Sequence, residues 1–423
     1  MRQMKDSGVE WIREIPADWD LSKIGAVYEE RNEKVSDADF SPLSVTKQGV
    51  VPQLETAAKT NDGENRKLIR KNDFVINSRS DRRGSCGISE YDGSCSLINT
   101  VLKPRRNMCN AYYSFVFRSE RFADEFYRWG NGIVDDLWST KWSNMKRIYI
   151  PAPSMQEQQR IADYLNRKCS QIDAIIARQQ EVIEKLKAYK LSVITEAVTK
   201  GLNPNVPMKD SGVEWIGEIP EHWVASVLRY GLENIQTGPF GSQLHAEDYI
   251  EDGIFVINPA NIVEGCIVPD NQCSITESKA QELSRHILNK GDIIFARRGE
   301  MGRCAYFGGS SQQYLCGTGC IKIQCNLNLM PEFISWFLHT SCVKQYLTLN
   351  SVGTTMANLN TTIISGIPIV FPPVSEQKEI VKYIKNKIRE VDCVLKNKSS
   401  IVDKLTEYKK SLIYEVVTGN KEV

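Results

Sequence analysis

Apolar residues fall at Ile161, Leu165, Cys169, Ile172, Ile176, Ile183, Leu186, Tyr189 and Val193, in steps of three and four broken once at Gln179. That spacing holds them on one face of a helix. The same stripe returns 380 − 161 = 219 residues later as Ile380, Ile384, Ile388, Val391, Leu395, Val402, Leu405, Tyr408 and Leu412, broken at the matching Lys398. Neither Glu157–Thr199 nor Glu376–Thr418 contains glycine or proline. Pro153 and Pro373 precede the two runs, and Gly201 and Gly419 follow them as C-cap residues. About 42 residues at 1.5 Å each make a rod of roughly 60 Å. A seam that narrow needs a partner helix, and the nearest candidate is the other copy, paired antiparallel as in a twofold dimer. The alternative is that each helix packs along its own globule, although its length exceeds the width of such a domain.

A second repeat precedes each helix. MKDSGVEWIREIPADW begins at Met4 and MKDSGVEWIGEIPEHW at Met208, an offset of 208 − 4 = 204 residues. The chain is thus two copies of one frame around divergent inserts. The inserts, about Leu21–Ile150 and Val224–Phe371, mix short β-rich runs such as Phe74–Asn77 and Asp292–Ala296 with helical patterns. Single helices are expected over Ala111–Trp129 and Pro331–Leu347. This predicts α/β or α+β globules of unsettled topology.

Composition narrows little. The 423 residues carry a net charge of +1, so any nucleic-acid surface is a local patch. No signal-peptide pattern and no apolar run of about 18 residues occurs, and a soluble, cytoplasmic protein is expected. The twelve cysteines include no CxxC pair and the four histidines are scattered, so no metal site is expected and buried thiols are. No phosphate-binding GxxxxGK[ST], no base-gripping Asn/Asp-Pro-Pro-aromatic and no glycine-rich S-adenosylmethionine turn occurs. The carboxylates Asp73, Asp81, Asp292 and Glu300 have no companion histidine or ligand set. The sequence offers recognition parts and no reaction centre.

Those parts are two aligned loops. KNDFVINSRSDRRGSCG at Lys71 matches KGDIIFARRGEMGRCAY at Lys290, again at 290 − 71 = 219. Each is a strand running into arginines and glycines: Arg79, Arg82, Arg83 and Gly84, then Arg297, Arg298, Gly299 and Arg303. Glycine permits close approach, and the guanidinium fork suits phosphate or a guanine edge. Lys47, Lys103, Arg105, Arg106, Lys141, Lys146 and Arg147 flank the first loop, with Trp138 and Trp142 interleaved. Nucleic acid is the favoured partner; a coiled-coil scaffold joining two protein-binding domains is the alternative.

These motifs resemble the specificity subunits of type I restriction-modification systems, nearly end to end. They are SGVEWIGEIPEHW at Ser211 with its earlier copy, GPFGS at Gly238–Ser242, DYIEDGIFVINPANIVEGCI, PLSVTKQGVVPQ at Pro42, IPAPSMQEQQRIADYL at Ile150 and FPPVSEQKEIVKYI at Phe371. The resemblance implies an α+β chain: target-recognition domains at 1–150 (with box 4–19) and 202–371 (with box 208–223), and spacer helices at 151–201 and 372–423 forming an antiparallel coiled coil with pseudo-twofold repeat. It adds Lys47, Gln48, Gly238, Phe240, Gly241, Ser242 and Asn261 to the arginine loops as DNA-binding candidates. It further implies a non-catalytic chain that reads an asymmetric bipartite target in double-stranded DNA. Two modification subunits would bind S-adenosylmethionine, and restriction subunits would use ATP and Mg²⁺. The boxes around Trp11 and Trp215 are expected either to dock those subunits or to pin themselves to their own domain.

Overall fold

The computed structural model describes residues 2–53, 62–79, 82–105, 107–132, 138–351 and 359–423. Asp81 and Arg106 lie outside them. The chain divides into two compact units, Met1–Glu181 with Lys398–Val423 and Val182–Asn397. The expected domains followed chain order; these units instead divide both long helices between them.

Each box is a short antiparallel hairpin, Met4–Asp6 with Glu14–Pro16 and Met208–Asp210 with Glu218–Pro220, in matching register. Each insert then opens and closes on one strand pair, Asp20–Lys23 with Tyr149–Ala152 and Val224–Val227 with Pro368–Phe371. Inside, the divergent sequences build the same four-stranded antiparallel sheet. In the first unit its order is Tyr28–Glu30, Asn99–Pro104, Phe74–Asn77, Cys86–Ile88. In the second it is Leu232–Thr237, Cys320–Cys325, Ile293–Ala296, Cys304–Tyr306. The remaining strands differ. Gly93–Cys95, Arg66–Ile69 and Lys34–Val35 form a three-stranded sheet in the first unit. The second has a four-stranded sheet in which Ile254–Ile257 and Tyr314–Cys316 run parallel.

Two expected helices are broken. Ala111–Trp129 resolves into Asn110–Arg118 and Glu120–Arg128, because Ser119 is extended (φ −68°, ψ 141°) and its hydroxyl accepts from Phe122 N. Pro331–Leu347 breaks at the equally extended Thr340 into Pro331–Leu338 and Ser341–Asn350. Ser119 ends one helix and caps the next, whereas Thr340 follows the helix-ending His339 and its hydroxyl donates back to Phe337 O.

The long helices run Met155–Lys200 and Val374–Val417. Gly201 (φ +76°) and Gly419 (φ +74°) follow them in the left-handed conformation that closes a helix. Within the first unit, Ile161, Leu165 and Ile172 share a core with Leu412, Val416 and Val417. Within the second, Ile380 and Ile384 share one with Ile194, Ala197 and Val198. The start of each helix therefore lies antiparallel to the end of the other. Burial between these ends is uneven: Tyr189 and Tyr408, counted in the stripe, are 50% and 51% exposed, whereas Ile183, Leu186, Val402 and Leu405 are half-buried.

The boxes are pinned inside their own units. Trp11, Trp19 and Trp223 are buried and Trp215 is half-buried. Trp19 and Trp223 donate their indole N–H groups to Glu157 and Glu376, each at 2.9 Å. The next residues, Gln158 and Gln377, are buried, and their side chains make three hydrogen bonds apiece. Gln158 donates to Pro153 O and accepts from Cys109 N, ahead of helix Asn110–Arg118. Gln377 donates to Pro372 O and accepts from Met330 N, ahead of helix Pro331–Leu338.

Candidate nucleic-acid interface

In each unit the arginine-glycine loop is the hairpin turn between the third and fourth strands of the shared sheet, and one residue is its hub. In the second unit Arg297 N donates to Gly319 O at 2.9 Å, and Arg297 O accepts from Leu359 N at 3.0 Å. In the first, Ser78 N donates to Ile98 O at 3.2 Å, and Ser78 O accepts from Thr140 N at 2.9 Å. The pairs 78/297 and 140/359 both keep the offset of 219. The far end of the turn also matches: Asn77 N donates to Ser85 O at 2.9 Å where Ala296 N donates to Arg303 O at 2.8 Å. Gly84 (φ +76°) and Gly302 (φ +79°) precede those closing residues, in a backbone region that glycine enters freely.

The arginines differ in what they touch. Arg297 is half-buried and its Nε donates to Leu359 O at 3.1 Å. Arg303 donates from Nη1 to Pro259 O at 3.0 Å and lies 3.3 Å from Glu300. Arg298 is exposed and makes no hydrogen bond or ion pair among the described residues. Arg79 is half-buried, and its backbone N–H donates to the Asn77 side chain. Arg82 and Arg83 are exposed; Arg83 pairs with Asp124 and lies over the Tyr127 ring.

A further tie runs from each loop to the helix after the break, with its sign reversed. Arg83 meets Asp124 on Glu120–Arg128, whereas Glu300 meets Lys344 on Ser341–Asn350 at 3.2 Å. Lys344 and then Arg303 hold the Glu300 carboxyl below the usual carboxylate range.

The glycine-rich segment of the second unit joins the same place. Gly238 N donates to Cys320 O at 2.9 Å, and a Cβ there would lie 1.9 Å from Gly317 O. Gly317 N in turn donates to Ile257 O, and Arg303 grips Pro259. Gly238–Ser242, Asn258–Asn261, Arg297–Arg303 and Gly317–Gly319 thus meet around one sheet end. Phe240 is 65% exposed there, and Gly241, Ser242 and Gly299 are also exposed. Asn261 is buried: its Oδ1 accepts from Asn258 N and its Nδ2 donates to Val268 O, so both ends of the side chain build the turn.

In the first unit Lys47 and Gln48 are exposed at the turn between strands Leu43–Thr46 and Gly49–Pro52. Lys47, Arg83, Gly84 and Arg118 line a cleft of about 770 Å³, together with Asp173, Lys409 and Lys410 of the long helices. Several flanking groups have partners within the unit: Lys103 and Arg105 pair with Glu29, Arg147 lies over Trp129, and Trp138 donates to Tyr127 O. The Glu157–Gln158 and Glu376–Gln377 pairs, which position both inserts, were not singled out by sequence reasoning. Their signal was the repeat of Glu-Gln at one place in each copy.

No group of three or more His, Cys, Asp or Glu side chains among the described residues is arranged to hold a metal ion. Cys86, Cys95, Cys304, Cys316 and Cys320 are buried in strands, and burial pushes the Cys86 thiol up to about 11. No helix among the described residues is long and apolar enough to cross a membrane.

Known proteins share this architecture. The chain is 23% identical to the EcoKI specificity subunit of Escherichia coli K12 over 83% of its own length and 75% of that protein's. It is also 23% identical to the putative MjaX specificity subunit of Methanocaldococcus jannaschii, covering 97% of this chain and 96% of the relative. Among solved structures, a chain of a type I R-M system matches with TM-score 0.74 at 14% identity, over 96% of this chain and 99% of that one. The HsdS subunit of Thermoanaerobacter tengcongensis matches with TM-score 0.52 at 15% identity, over 96% and 98%. The family model described as type I restriction modification DNA specificity domain matches twice, over residues 16–185 and 241–401. With both copies so matched, the chain belongs to the type I restriction-modification DNA specificity family.

Proposed function

We propose that the two inserts read the two halves of an asymmetric bipartite target in double-stranded DNA, and that the long helices fix the gap. The observation that carries this is one hairpin hub built twice, at Ser78 and Arg297, within different surroundings. A shared frame supports the same docking geometry, and different linings support different half-sites; two identical modules would suit a palindrome. Phosphate contacts would anchor each module and base-edge contacts would specify it.

The chain would contribute no chemistry of its own. Two modification subunits would dock on the exposed faces of the helices, extrude the target adenine and methylate it with S-adenosylmethionine. Restriction subunits would bring ATP and Mg²⁺. The assembly would work in the cytoplasm, alongside the genome. Mapping methylated adenines in the host genome with and without the gene tests the reading. The expected result is one bipartite motif whose methylation disappears with the gene, and an unchanged methylation pattern would overturn it.

A further inference from the structure

We infer that the loop arginines have two jobs: Arg298 and its counterpart Arg79 face DNA, whereas Arg297 and Arg303 are positioning residues that hold Arg298 in place. This rests on the DNA-reading function proposed above. Arg297 is fixed at three atoms, through its N–H, its carbonyl and its Nε. Arg303 closes the hairpin through its carbonyl and clamps the Pro259 turn with its guanidinium. A guanidinium tied to a protein carbonyl keeps further N–H donors, but the tie fixes its direction and limits its turning toward a ligand. Arg298 has no such tie: it is exposed and unbonded among the described residues, between the fixed Arg297 and Gly299 at φ +87°.

Comparison of the two copies within this chain supports the division. The hub bonds superimpose position 78 on 297, and the closing bonds superimpose 85 on 303. Both positions are serine in the first copy, Ser78 and Ser85, and the Ser78 hydroxyl itself donates to Ile98 O. The braces therefore changed chemistry while their backbone bonds stayed. The residue after the hub is arginine in both, Arg79 and Arg298. Arg82 and Arg83 fall where the second copy has Glu300 and Met301. They belong to the first copy alone, and Arg83 ties the hairpin to Asp124.

The test uses the full chain with its modification subunits, a labelled duplex carrying the mapped target and a scrambled duplex, titrated from 50 to 200 mM salt. Arg298→Ala is expected to weaken target binding about tenfold or more if it grips a base edge. If it grips phosphate, both duplexes should weaken together and the slope of log K against log salt should fall by about one. Either result supports the assignment. Arg297→Gln, whose amide nitrogen falls where Nε stood, removes the charge but keeps the donor and should leave that slope unchanged and target binding within about threefold; Arg303→Gln, too short to reach Pro259 O, should weaken target binding while leaving the slope unchanged. The division is overturned if either glutamine variant lowers the slope by about one, or if Arg298→Ala changes neither duplex. Absence of salt-dependent DNA binding by the unsubstituted complex would instead reject the underlying function.

Discussion

Lys409 Nζ lies 2.6 Å from both carboxylate oxygens of Asp173, joining the end of one long helix to the start of the other. Its counterpart, Lys190 with Asp392 at 2.7 Å, follows by the repeat offset, since 173 + 219 = 392 and 190 + 219 = 409. Both pairs are partly exposed, so each should contribute only about 0.2–1 kcal/mol. Their value lies in register. Lys409→Glu should lower the melting temperature of the first unit, and the exchange Asp173→Lys with Lys409→Asp should restore it. A double-mutant cycle with no coupling would show that the pair does not fix the helices.

Trp19→Phe removes the indole donor to Glu157 while retaining most of the ring. A hydrogen bond to a charged, largely buried group justifies an expected loss of about 1–3 kcal/mol, measured by chemical denaturation. Trp223→Phe should cost less, because Glu376 is more open to water than Glu157, with side-chain exposures of 36% and 12%.

Gly238→Ala and Gly241→Ala test the glycine-rich segment at two neighbouring positions. A methyl at 238 would lie 1.9 Å from Gly317 O, whereas one at 241 meets nothing within 4 Å. The first should cost about 1–3 kcal/mol and displace the turn that supports Arg297, sharply reducing target binding. The second should leave stability within about 0.5 kcal/mol.

His286 is buried, with Nδ1 3.1 Å from the Gln236 amide, and burial followed by Arg285 and Lys322 lowers its pKa to about 4. Unfolded, it would titrate near 6.5. Between those values the unfolded chain binds the extra proton, so stability of the second unit falls as pH drops from about 6.5 to 4 and then levels. Burial lowers His339 too, adding to the same slope. His286→Gln should flatten part of it in urea titrations across that window.

Deleting Val182–Ala188 removes one heptad, about 10 Å of helix, or roughly three base pairs at about 3.4 Å each. The expected outcome, read by methylation mapping, is the same two half-sites with a shorter gap, or no recognition because the insert has also turned about the duplex. Full activity on the original gap would reject the helices as the ruler.

The long helices were legible because their signal is local, a stripe with proline before it and glycine after. The shared sheet was not. Its strands are three to six residues long, and Asn99–Pro104 inserts between Tyr28–Glu30 and Phe74–Asn77, an arrangement that no periodicity encodes. In the interface, Arg298 and Arg297 look alike in sequence, and only the carbonyl of Leu359, 62 residues away, separates them. Asn261 misled for the same reason, since its partners are backbone groups that a one-dimensional reading cannot place.

Leu412, Val416 and Val417 complete the core that Trp11, Ile12 and Ile15 begin. The ribosome therefore makes two pieces of one hydrophobic core 412 − 15 = 397 residues apart. From Glu181 to Val416 is 416 − 181 = 235 residues, which at about 5–20 residues per second leaves roughly 10–50 s of waiting. During that interval the newborn first unit exposes an uncapped apolar groove, while the second unit can form from one continuous stretch. A stop before Leu412 would therefore injure the unit whose larger part is translated first.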